Sequence, residues 1–235
     1  MDRHTKWIGV ALVVGGLLMF TRMAPVLAVL PEDMAFPPAT TQDMVRLAVI
    51  TGARWQLSHM MGLLAVLLFG IAYGWHVMLL IRAGWRSLGP GLAVTALLAF
   101  PLFGIALVID GFAVPATIAD HLAAGGTGAA TLEQVAATHR LALRFFAPGV
   151  FLMFVTMGIL SAPMLHREIH ARWLGVAGQL IAVVAVTAYL TGLTGPHWNE
   201  LQVAGTLMLV AFAWHLIIGA RALIVKRIAA VPQSG

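Results

Sequence analysis

Nine histidines, fourteen lysines and arginines and nine acidic residues are spread through a strongly apolar chain of 235 residues. His59 and His139 each fall near the start of a long apolar run, at matching depth. Two imidazoles facing each other across a helix bundle can ligate a haem iron or contribute to another metal site. Arg22, Arg140 and Arg144 lie at about the same level. Arg140 and Arg144 are four apart, so their guanidinium groups share one helix face and form a fork suited to a carboxylate, a haem propionate or a lipid phosphate. Asp110 is the acid within a run at that depth. It either ties the bundle together by pairing with an arginine or orients a substrate. Three arginines against one aspartate leave excess positive charge in a low-dielectric region, so a ligand, an anion or water is expected to compensate it. All three arginines are therefore expected to face the interior, with snorkelling to the headgroups as the alternative.

Gly62, Gly70 and Tyr73 follow His59 at helical spacing, and glycines let a flat ring approach the backbone. Met153 and Met157 share the His139 face. The plainer reading of either histidine alone is a polar side chain bonded to a nearby carbonyl. His197, Asn199 and Glu200 precede the last apolar run, on the same side as this cluster.

Other residues are weaker candidates. His76 and His215 form a second pair toward the opposite side. His76 lies about 25 Å along the axis from His59 and about 100° around it, which disfavours two stacked haems and favours interhelical packing. His166 and His170 stand at i, i+4, a metal-ligand spacing, but as one isolated box they read as a solvated loop. Gly70 and Gly74 make a G-x-x-x-G, a close-packing motif. Lys6 and Lys226 are the only lysines and sit at helix ends, so a buried Schiff base is excluded. The absence of cysteine removes thiolate metal sites, iron–sulfur clusters and covalently attached haem. No phosphate-cradling glycine motif is present, and no nucleic-acid partner is expected.

The elements that must position these residues follow from composition. The chain is 60% hydrophobic and 10% charged, with a mean hydropathy of +0.93. That excludes an ordinary soluble enzyme and a disordered chain. Six stretches are long enough to span a bilayer: 7–30, 55–81, 88–115, 135–164, 173–193 and 201–225. The expected fold is all-α, a single integral membrane domain over 1–235 forming a six-helix bundle. Pro25, Pro101 and Pro148 predict kinks. Residues 42–54 alternate charged and apolar side chains, as an interfacial helix does, and 123–131 reads as a flexible loop. No internal repeat supports an inverted-repeat transporter.

Arg3, Lys6, Arg82, Arg86, Arg167, Arg172, Arg221, Lys226 and Arg227 gather on one side of this topology. Glu32, Asp33, Asp43, Asp120, Glu133 and Glu200 gather on the other. The positive-inside rule then places both termini in the cytoplasm and the chain in a bacterial inner membrane, with the His59 level in the outer leaflet. The formal charge of +5 is explained by this topology rather than by a polyanionic partner. The first run is longer than a signal peptide's apolar core and is expected to be retained.

Three short segments resemble the styrene oxide isomerases, small membrane proteins that hold haem b through one histidine near the start of helix 2. The matching positions are Ala53-Arg54-Trp55-Gln56-Leu57-Ser58-His59, then Ile109-Asp110-Gly111-Phe112, which is similar to a Leu-Asp-Gly-Trp motif, and Phe146-Ala147-Pro148-Gly149. The family has four helices rather than six, and its asparagine six residues after the histidine falls on Ala65. The resemblance implies a ferric haem acting as Lewis acid on an epoxide oxygen. His59 is then the axial ligand, Asp110 orients the substrate or steadies a developing cation, and His139 does not ligate. Two histidine ligands imply electron transfer to a redox partner instead. The functional expectation is a haem b membrane protein, either an electron carrier or an isomerase-like enzyme on a small apolar substrate. A small-solute transporter or channel and a non-catalytic assembly subunit are the alternatives, and a homo-oligomer is compatible with each.

Overall fold

The computed structural model describes residues 3–32, 34, 36, 38, 40–166, 170–192 and 200–224. Every regular element among them is helical: α1 (Arg3–Thr21), α2 (Ala24–Leu27), α3 (Thr41–Thr51), α4 (Ala53–Arg82), α5 (Leu88–Val108), a π turn (Ile109–Ala113), α6 (Val114–Ala123), α7 (Ala129–Leu165), α8 (Arg172–Gly192) and α9 (Glu200–Ile224). Six stretches are long and apolar enough to cross a membrane: Thr5–Leu27, Ala53–Arg82, Leu88–Ala123, Ala129–Leu165, Arg172–Thr191 and Thr206–Ile224. The outward faces are apolar, with Leu97 72% and Leu180 62% exposed. Such a surface suits hydrocarbon and not water.

The spans close into a ring. α4 lies between α1 and α5, α5 packs on α7, α7 on α8, α8 on α9, and α9 returns to α1. Phe69, Tyr73, Phe103, Met157, Leu160 and Trp214 fill the middle. The third span runs to Ala123, eight residues past the expected end at 115. Pro115 sits in the first turn of α6, and its missing N–H leaves a carbonyl of the preceding π turn without a backbone donor. Pro25 opens α2 after the break at Arg22–Met23, so the kink expected there is a short interruption.

α3 forms for a local reason. Thr40 and Asp43 make a reciprocal capping box, the Asp43 N–H donating to Thr40 Oγ1 and the Thr40 N–H to Asp43 Oδ2, each at 3.1 Å. Gly52 ends α3 and starts α4 at φ 50°, a conformation that glycine adopts without strain. Met44 packs on Val114, Ile118 and Val135, and Leu47 on Val26 and Trp55. The eleven-residue α3 therefore covers the end of the bundle that carries His59.

Candidate functional site

Proline 115 sets the local geometry at Asp110. The Val114 N–H bonds the Ile109 carbonyl, five residues back. In that register the partner of the Asp110 carbonyl would be the nitrogen of Pro115, which has no hydrogen. The orphaned carbonyl is taken by the Trp55 indole N–H at 2.9 Å. A single-turn π segment of this kind is common at functional sites. Here it fixes the backbone of the aspartate to α4.

The Asp110 carboxylate is held at both oxygens. His59 Nε2 lies 3.0 Å from Oδ2, and His139 Nδ1 lies 2.9 Å from Oδ1. His59 Nδ1 faces the Trp55 carbonyl at 2.8 Å. A carbonyl only accepts, so that nitrogen carries a proton. The approach of α4 to the π turn depends on Gly111, where a Cβ would lie 2.4 Å from His59 Cβ. The His59 ring is therefore fixed from three directions, and its side chain is 5% exposed. The His139 side chain is 28% exposed and is held through Nδ1.

Arg22 enters the same site from α1. Its side chain crosses Gly62, where a Cβ would meet Nη1 at 3.1 Å. Nη1 is buried with no hydrogen-bond partner among the described residues. Asp110 is the opposite charge that acts on it. Arg22, His59, Asp110 and His139 line a cavity of about 260 Å³ whose remaining wall is mostly apolar, with Phe36, Met44, Trp55, Phe146 and Met208 in it.

Hydrogen bonding fixes the charge of this group. One proton lies in each of the two bonds to Asp110, whichever partner owns it, and one more lies on His59 Nδ1. With His139 Nε2 unprotonated, the two histidines and the aspartate sum to zero. Arg22 then leaves the site with one unit of positive charge.

Several expectations are corrected. His59 and His139 do not face each other across a gap for iron but clamp one carboxylate between them. Asp110 pairs with the two histidines, not with an arginine. Arg140 turns outward to an ion pair with Glu133, its side chain 56% exposed, and Arg144 is exposed one turn on. The two do share a face, but it is the outer face of α7. Gly62 belongs to the site, whereas Gly70 and Gly74 line an outward-facing groove of about 840 Å³ between α4 and α5. A Cβ at Gly74 would meet nothing within 4 Å, so the G-x-x-x-G serves no close approach. Tyr73, about 21 Å along α4 from His59, belongs to a different cluster. His197 and Asn199 lie outside the described residues.

That second cluster sits toward the opposite end of α4. Tyr73 donates its hydroxyl to His215 Nε2 at 2.7 Å, and His215 donates from Nδ1 to the Ala211 carbonyl. His76 donates from Nδ1 to the Ala72 carbonyl, and its Nε2 lies 3.3 Å from His170 Nε2. His170 is buried, not solvated as its spacing from His166 suggested. α7 ends at Leu165, so the two histidines do not share a helix face, and exposed His166 lies against Trp85 instead, the rings tilted with centres 5.7 Å apart. Burial, then the charges of His76 and Arg221, pushes His170 down to about 3.

The sequence reading missed Trp55, Pro115 and Gly111 as positioning residues. Pro115 was the available signal, standing five residues after Asp110.

The residues do not fit a haem ligated by His59 in this arrangement. Both His59 ring nitrogens are engaged, and the cavity is below the roughly 300–1,000 Å³ usual for drug-sized ligands. Among the described residues no group of three or more histidine, cysteine or acidic side chains is arranged to hold a metal. No protein-family model matches the chain, nor does any curated protein or solved structure.

Proposed function

We propose that this is an integral membrane protein that admits a small, largely apolar molecule to the cavity beneath α3 and exchanges a proton with it through His139. The carrying observation is the way His139 is held. Its Nδ1 is anchored on the Asp110 carboxylate, and the ring lines the cavity with Nε2 left for a ligand. A histidine oriented by a carboxylate through one nitrogen works as an acid–base group through the other. Asp110 steadies the imidazolium that forms when Nε2 takes a proton. His59 holds the second carboxylate oxygen and keeps it from turning away. Iron-dependent epoxide opening does not enter this reading, because His59 offers iron no free nitrogen.

The same proposal places the α3 end outward and both termini in the cytoplasm of a bacterial inner membrane. By sequence position the basic excess falls on the opposite side, nine residues (Arg3, Lys6, Arg82, Arg86, Arg167, Arg172, Arg221, Lys226 and Arg227) against Arg46, Arg54, Arg140 and Arg144 toward this one.

A chromogenic phenol tests the proton exchange. 4-Nitrophenol is small, apolar over most of its surface, and coloured when deprotonated. Bound to the purified full chain in lipid nanodiscs, it is expected to appear as the anion at a pH where the free phenol is colourless. His139→Gln should abolish that shift. A bound phenol that titrates as it does in empty nanodiscs, or a shift that survives His139→Gln, overturns the proposal.

A further inference from the structure

Burying a guanidinium nitrogen without a partner is costly, and among the described residues Asp110 is the acid that acts on Arg22, whereas Asp120 and Glu133 in the same spans are exposed. The cavity is where the relief must come from, because Arg22 lines it. Asp110 does not supply it, since its two oxygens are turned to the histidines and neither bonds Arg22 Nη1. The site as a whole keeps one positive charge, and the wall around it is Met, Phe, Trp, Pro, Leu and Ala apart from the four ionisable residues.

We infer that the cavity binds the carboxylate of a small monoanionic amphiphile, with Arg22 Nη1 as anchor and the apolar wall around the ligand's hydrocarbon body. A monoanion cancels the surplus charge without any change in protonation. A phosphate monoester, carrying closer to two charges, would overcompensate unless His139 took up a proton. At about 30 Å³ per water-sized volume, 260 Å³ admits on the order of ten non-hydrogen atoms. That suits a medium-chain or aromatic monocarboxylate. Gly62 is part of the site for the same reason: any side chain there would push the guanidinium off its line. This inference rests on the proposed ligand cavity but not on proton exchange at His139.

Octanoate and octanol separate the charge from the hydrocarbon. The purified full chain in nanodiscs is titrated with carboxyl-labelled octanoate followed by NMR, with empty nanodiscs subtracted, and octanol as competitor. Octanoate is expected to saturate one site, with octanol at least about tenfold weaker, the worth of a charged hydrogen bond. Arg22→Gln should weaken octanoate about 10–100-fold, and Arg22→Lys should retain most of the affinity. His139→Gln should lose the nitrophenol shift but weaken octanoate far less than Arg22→Gln does, so the two readings fail separately. Octanol binding as tightly as octanoate overturns the inference, and this comparison needs only the wild-type chain should Arg22→Gln not fold. Unchanged octanoate affinity in folded Arg22→Gln also overturns it. So does a loss in His139→Gln as complete as that in Arg22→Gln, which would make the histidine the anion's partner.

Discussion

Helix α4 carries a polar cluster toward each end, and both are buried, but they are balanced differently. In the cluster of Tyr73, His76, His170 and His215, phenol, imidazole and backbone carbonyl pair so that every contact is satisfied between neutral groups. Aromatic rings fill the space around it: Phe69 lies 5.0 Å and Trp214 5.0 Å from His215, ring centre to ring centre. The cluster of Arg22, His59, Asp110 and His139 contains formal charges, a cavity and a donor with no partner among the described residues. The contrast teaches that histidine in a membrane span is not itself a sign of chemistry. What distinguishes a site is a hydrogen-bond inventory that does not close within the protein.

The sharpest way to break this contrast is at Asp110. Asp110→Ala leaves two imidazoles and a guanidinium facing one another without their acid. Removing one partner of a buried charged group costs about 3–5 kcal/mol. A drop of that order in unfolding stability, read by denaturant titration in detergent, is expected. A neutral effect would show that the carboxylate is dispensable and the two clusters equivalent.

Acid should act through the neutral cluster. His170 is held down to about 3, whereas the unfolded side chain titrates near 6.5. The unfolded state therefore binds the additional proton between these values. The stabilising contribution of neutral His170 is complete above about pH 6.5 and is progressively lost as pH falls toward 3. The midpoint of thermal unfolding should fall over that window, and His170→Asn should flatten the dependence. A wild-type profile no steeper than the variant's would remove His170 from the account.

The smallest effect is expected outside both clusters. Arg140 and Glu133 are 56% and 67% exposed, and exposed ion pairs are worth about 0–1 kcal/mol. Arg140→Gln should leave both stability and octanoate affinity nearly unchanged. An affinity loss matching that of Arg22→Gln would put Arg140 back in the site.

The spans were legible because 60% apolar composition in long runs admits few alternatives, and the alternation of charged and apolar residues over 42–54 marked α3. The depth of His59, Asp110, His139 and Arg22 was also legible, since axial rise follows directly from residue count. Rotation about the axis was not. Arg140 and Arg144 share a face in any α-helix, but their spacing does not say which face is inward. Val135, Ala142 and Gly149, one heptad apart and all buried, define the inner face of α7, and the arginines lie off it. The π turn was illegible because one inserted hydrogen-bond register leaves no periodic trace. His170 was misread because its burial depends on His76, ninety-four residues away in the chain.

Helix α3 is too short to cross a bilayer, and it covers the cavity with Met44 in the wall. In the proposed topology α3 lies in the headgroup layer, so a molecule reaching Arg22 past this helix would pass through that layer rather than arrive from bulk water. Amphiphiles accumulate in that layer, so occupancy will follow their surface density there. Two ligands of equal intrinsic affinity will compete unequally if one partitions better into lipid, and changes in lipid composition will then shift selectivity without altering any contact in the site.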